Sequence, residues 1–127
     1  MGSTLTGFLS DIDKRDSSPF YRPDDQPEIG NEEGISYRII GVNHPNRNLL
    51  FMKETYRVGA DTGKVISHEA QEAGYVVSGV VELTIGNRIR ELHAGDAYYF
   101  DSREPHRFRN TRKTEAVIIS AVAPPTY

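Results

Sequence analysis

Val80-Val81-Glu82-Leu83-Thr84-Ile85-Gly86-Asn87-Arg88-Ile89-Arg90 is the stretch on which the fold turns. Val81, Leu83 and Ile85 alternate with Glu82 and Thr84, so an extended chain here has one apolar face and one wet face. Gly86-Asn87 then supplies two residues that tolerate positive φ, the signature of a two-residue hairpin loop. The returning run offers only Ile89 among charged neighbours. A hairpin of this kind must bury its apolar face against further sheet and protect its edges.

Outward from the hairpin the same grammar continues. From Gly34 onward, short runs rich in Val, Ile, Tyr, Phe and Thr are separated by Gly, Pro, Asn and Asp, which predicts strands over 36–41, 49–58, 64–68, 74–78, 80–85, 88–92, 97–100, 106–109 and 115–122. So many short strands in 127 residues indicate one all-β domain, a sandwich or jelly-roll barrel, spanning 34–127. Tyr98-Tyr99-Phe100 and Val117-Ile118-Ile119 are continuous apolar runs, which fits strands covered on both sides. The cover is the second sheet, the N-terminal arm or another subunit, so a homodimer and a thick monomer core both satisfy it.

Residues 1–33 differ in character, with eight acidic side chains against Lys14, Arg15 and Arg22. Pro19, Pro23 and Pro27 exclude a long helix through 20–29 and favour an extended arm. Leu5, Phe8, Leu9 and Ile12 recur at helical spacing and suit a short helix over 6–15, a frayed tail being the alternative. The formal charge of −3 and the 37% hydrophobic content speak against nucleic-acid binding and against a membrane span. With no cysteine, any metal falls to His and carboxylate ligands. The first ten residues lack the basic start and apolar run of a secretory signal, so the expected location is cytoplasmic.

The chemistry concentrates in the four histidines. His44 and His93 lie in turn-forming stretches and are expected in solvent, whereas His68 and His106 stand at strand edges. Residues of equal parity share a face of an extended chain, so Ile66, His68 and Glu72 can point together if the bend at 69–73 preserves register. His106, Phe108 and Asn110 form a second such set. Bringing the sets together would gather two imidazoles and a carboxylate, the facial triad that holds non-haem iron with open positions. A surface His-Glu pair with a separate structural His is the other reading of the same spacing.

Two motifs resemble the cupin superfamily. Gly63-Lys64-Val65-Ile66-Ser67-His68 through Glu72-Ala73-Gly74-Tyr75-Val76-Val77-Ser78-Gly79 is similar to its first motif, and Ala94-Gly95-Asp96-Ala97-Tyr98-Tyr99-Phe100 with Pro105-His106-Arg107-Phe108-Arg109-Asn110 to its second. The chain from Phe20 to Tyr127 resembles the C-terminal cupin domain of bacterial helix-turn-helix regulators, here without a DNA-binding part. The resemblance implies a double-stranded β-helix with a pocket in the barrel, often a dimer. It also implies a ligand set of His68, Glu72 and His106, with Ile66 where the family has its first His. Ile66 and Phe108 would then line the pocket.

The expected function is a small-molecule-binding, sensing module with a divalent metal (Fe, Mn, Ni, Co or Zn) and no nucleotide cofactor. Its alternative is a small metal-dependent enzyme such as an oxygenase, epimerase or lyase. The basic cluster Arg103, Arg107, Arg109, Arg112 and Lys113 reads as an anion site or as a solvated face.

Overall fold

The computed structural model describes residues 18–63 and 67–125. The expected helix over 6–15 and the pocket position of Ile66 lie outside these residues. Within them a short 3-10 turn at Pro23–Asp25 precedes nine strands: β1 (Glu28–Gly30), β2 (Ile35–Ile40), β3 (Leu50–Tyr56), β4 (Gln71–Ser78), β5 (Val80–Ile85), β6 (Arg88–His93), β7 (Ala97–Asp101), β8 (His106–Arg109) and β9 (Ala116–Ala123). They form a six-stranded sheet in the order β1-β2-β3-β9-β4-β7 and a three-stranded sheet in the order β6-β5-β8, with all pairs antiparallel. The all-β jelly-roll expectation is met.

The β5–β6 hairpin stands where the alternation placed it, with Ile85 opposite Arg88 across Gly86-Asn87. Gly86 has φ +60°, and no described non-glycine residue has positive φ. Only the first loop position therefore uses the left-handed region, the arrangement for which a type II′ turn needs glycine. Inward-facing Val81 and Leu83 are buried and join Ile35, Tyr56, Val76, Phe100, Phe108 and Ile118 in the main core. Burying each such side chain is worth about 1.5–3 kcal/mol, which pins the two sheets together.

Several sequence expectations need correction. The arm is not wholly apart from the barrel, because Glu28–Gly30 pairs with β2 and Ile39 N–H donates to the Pro27 carbonyl at 3.1 Å. Pro27 and the acidic composition hid this three-residue edge strand. Ser67 and His68, expected in a strand, lie outside one, while β4 begins at Gln71 rather than Gly74. Its early start follows from pairing on both sides: Gln71 and Glu72 face Asp101 and Phe100 on β7 and Ala123 and Val122 on β9. Among the described residues nothing covers both faces of the aromatic run on β7. Phe100 is buried and Tyr98 half-buried, but Tyr99 is 71% exposed on the opposite face.

The basic cluster is a surface of ion pairs. Arg103 meets Asp101 at 2.8 Å, Arg107 Nε meets Asp61 at 2.8 Å, Arg109 meets Glu82 at 3.3 Å and Arg112 meets Glu91 at 2.9 Å. Each of these cations already has a carboxylate, which favours the solvated-face reading over an anion site. His44 and His93 are exposed, as their turns suggested.

Candidate functional site

The inner face of the six-stranded sheet and the start of β8 enclose a cavity of about 130 Å³. Three sources contribute its polar wall. Glu72 comes from β4, and His106 opens β8. His68 stands on the segment before β4, which is fixed by two backbone bonds: His68 N–H donates to the Ser102 carbonyl at 2.9 Å and Ser102 N–H to the Ala70 carbonyl at 2.8 Å. The bend at Glu69–Ala70 thus keeps His68 and Glu72 on one side, although no regular strand parity runs through it.

These three side chains meet at one carboxylate oxygen. Glu72 Oε1 is 2.9 Å from His68 Nε2 and 3.4 Å from His106 Nε2, and the rings of His68 and His106 are 5.4 Å apart between centroids. All three ligand atoms lie within 4.8 Å of one another. Metal bonds of about 2.0–2.2 Å at octahedral or tetrahedral angles separate neighbouring ligand atoms by roughly 2.8–3.6 Å, so both measured separations suit one ion.

The electrostatics agree with that geometry. His106 is 2% exposed and its Nδ1 sits 2.8 Å from the Glu104 carbonyl. A carbonyl can only accept, so Nδ1 carries the proton and, in the neutral ring, Nε2 keeps its lone pair facing Glu72. Burial pulls the His106 value down, but the Glu72 carboxylate and the Glu104 carbonyl hold it above that of an ordinary imidazole. Burial pushes the Glu72 carboxyl up, yet the hydrogen bond from His106 and the charges of both imidazoles outweigh it, leaving Glu72 below the usual range. The site stabilises an ionised carboxylate between two imidazoles, the protonation state that a divalent ion requires of Glu72.

The cavity also holds residues the sequence did not single out. Glu54, on β3, is 7% exposed and lines the same cavity; its Oε1 accepts from the Tyr56 hydroxyl at 2.8 Å and its Oε2 from Ser120. Burial pushes the Glu54 carboxyl above its ordinary value despite those two bonds. The signal was present in β3, where Leu50, Met52, Glu54 and Tyr56 share the inward parity, so a carboxylate at that register had to be buried. Phe108 lines the cavity beside Tyr37, Leu50, Met52 and Val122. Asn110, by contrast, is a structural residue. Its side-chain amide donates to the carbonyls of Tyr56, Arg57 and Thr114 at 3.1, 3.1 and 2.9 Å, fastening the loop after β8 to the end of β3.

The Cupin_2 family, described as Cupin domain, matches residues 52–122. The chain is a cupin. It is 36% identical over 127 residues to the HTH-type transcriptional regulator PuuR of Escherichia coli (strain K12), which covers 99% of the cupin and 68% of the regulator. Among solved structures, an RmlC-like cupin from Shewanella frigidimarina NCIMB 400 is similar at a TM-score of 0.71 and 21% identity, covering 84% of this chain and 91% of that one. The Cupin_2 domain of an XRE family transcriptional regulator from Enterobacter cloacae reaches a TM-score of 0.64 at 20% identity over 71% of this cupin and 96% of that domain. Among the described residues, no helix is long and apolar enough to cross a membrane.

Proposed function

We propose that this cupin is a small-molecule-binding module of the sensing kind, in which a divalent ion on His68, Glu72 and His106 helps to hold the ligand. One observation carries the reading: the His-Glu-His cluster opens into the same cavity as the apolar side chains Leu50, Met52, Phe108 and Val122, with Glu54 and Thr62 as further polar groups on its wall. Pockets of that make-up, mostly apolar with a few convergent polar groups, are what small organic ligands occupy. The 36% identity to a transcriptional regulator supports sensing. When bound, the ion would supply a Lewis-acid anchor for an oxygen or nitrogen of the ligand.

The chain's own residues restrict that ligand. Among the described residues, Glu54 and Glu72 face the cavity and no Lys or Arg lines it. Such a wall disfavours a ligand whose free end is anionic and accepts a neutral or cationic one. The iron-type enzyme reading uses the same three donors and is separated from sensing by whether a loaded protein turns over anything. Homodimerisation and a cytoplasmic location complete the proposal, with no nucleic acid bound by these residues. Elemental analysis of protein purified without chelator tests it: about one divalent ion per chain is expected, and a protein that takes up none even when offered the metals would overturn the metal-assisted reading.

A further inference from the structure

The strand returning from the hairpin tip carries its cations on the face a barrel wall would fill with apolar residues. Register pairs Val81 with Leu92, Leu83 with Arg90 and Ile85 with Arg88, so both arginines share the inner face of the three-stranded sheet with the buried Val81 and Leu83. Ile89 points outward instead and is 57% exposed. Among the described residues β6 and β7 are edge strands of their two sheets and do not pair with each other. Between them lies a cavity of about 260 Å³, twice the volume of the one at the His-Glu-His cluster and sharing no lining residue with it. Leu83 and Ile85 supply one wall, Tyr98 and Phe100 another, and Arg88 and Arg90 line it while remaining exposed to solvent. Phe100 is the partition, since its ring centroid is also 4.9 Å from that of His106.

Charge in this second cavity is unbalanced. No carboxylate lines it among the described residues, and none of them lies within ion-pair distance of Arg88 or Arg90. The acidic groups of the surrounding elements are placed elsewhere: Glu82 and Glu91 alternate to the outer face and meet Arg109 and Arg112, Asp101 meets Arg103, and Glu104 stands beside Gly86 at the hairpin tip. Arg90 gives only Nη1 to a backbone group, the Ile89 carbonyl at 3.0 Å. We propose that this cavity is a second ligand site, taking a small organic acid whose apolar body lies against Ile85, Tyr98 and Phe100 and whose carboxylate is held by Arg88 and Arg90. Guanidinium forks donate paired N–H bonds to a carboxylate, a geometry that suits them better than a point charge. The volume falls just under the range of about 300–1,000 Å³ that drug-sized ligands fill, so the acid is of metabolite size. The two cavities select opposite charge, with Glu54 and Glu72 on one and Arg88 and Arg90 on the other. This second site stands independently of any metal on the first.

Amide and arginine side-chain NMR shifts of the isotope-labelled full chain, titrated with sodium benzoate, test the site. Saturable shifts at β6 and β7 are expected. Acetate, which has the carboxylate without the body, should bind at least about tenfold more weakly. The double variant Arg88→Gln with Arg90→Gln should also weaken benzoate at least about tenfold and keep its metal uptake, while Arg112→Gln, on the outer face, binds as wild type does. No saturable shift at β6 and β7, or one that survives the double variant, overturns the proposal. So do shifts confined to the surroundings of His68 and His106, which place benzoate in the other cavity, and acetate binding as tight as that of benzoate. Should the double variant not fold, the side-chain N–H signals of Arg88 and Arg90 in wild type decide: their movement with benzoate supports the site and their silence contradicts it.

Discussion

Gly74 gives a prediction whose sign is opposite to the ordinary one. Replacing a strand glycine by alanine usually stabilises by about 0.4–1 kcal/mol, because the unfolded chain loses freedom. Here a Cβ would lie 2.3 Å from both Cζ and the hydroxyl oxygen of Tyr98, directly across the β4–β7 pair. Heavy atoms need about 3.5 Å, so the ring must retreat by more than about 1 Å. It has little room, since its centroid is 5.8 Å from that of Phe100 and 5.4 Å from that of Phe108. Gly74→Ala should therefore cost about 1–3 kcal/mol by overpacking and lower Tm by roughly 4–12 °C in a domain of this size. Thermal unfolding followed by circular dichroism measures it, in wild type and in a Tyr98→Ala background. The methyl should be harmless or stabilising once the ring is gone. An equal loss in both backgrounds, or no loss in either, would refute the close approach.

Further outcomes follow from the buried polar groups. Glu54 has a raised value, so the native state holds its proton more tightly than the unfolded chain does, and stability is lost as pH rises from the ordinary 4.5 through the folded value. Glu54→Gln should match wild type at and below about pH 4.5 in urea melts, gain on it as pH rises through the folded value, and hold a constant advantage above that. Glu72 is shifted the other way and His106 the same way: Glu72's contribution is lost as pH falls through its lowered value, and that of His106 as pH rises through its raised one. In metal-free protein the pair should stabilise most between about pH 4.5 and 6.5, and Glu72→Gln should flatten that maximum. Asn110→Ala removes the side-chain donor from the Tyr56, Arg57 and Thr114 carbonyls, of which Arg57 keeps the Ala60 N–H, and should cost about 1–3 kcal/mol in the same melts, with metal stoichiometry unchanged.

The alternation in 80–85 and the Gly86-Asn87 loop were enough to draw the β5–β6 hairpin residue by residue, because both signals are local. His68, Glu72 and His106 could be named from motif and parity, and the structure stands them around one carboxylate oxygen. What local sequence could not express was long-range pairing. Among the described residues β1 pairs with β2 alone, and the start of β4 is set by β7 and β9, strands remote in sequence. Glu54 shows the limit of parity: the alternation of Leu50, Met52 and Tyr56 puts it on the inward face, but the Tyr56 and Ser120 hydroxyls that satisfy it there come together only in the fold. The run Tyr98-Tyr99-Phe100 puts apolar residues on both faces of β7, and the described residues bury Phe100 while leaving Tyr99 exposed.

The most direct test of the account is a Co(II) titration of stripped protein, read by the visible spectrum and by equilibrium dialysis, in wild type and His106→Ala. Wild type is expected to saturate at one ion per chain, with affinity rising as pH climbs through the imidazole range, and the variant to lose the site. Stoichiometric binding that survives His106→Ala, or no binding by a folded wild type, would contradict it.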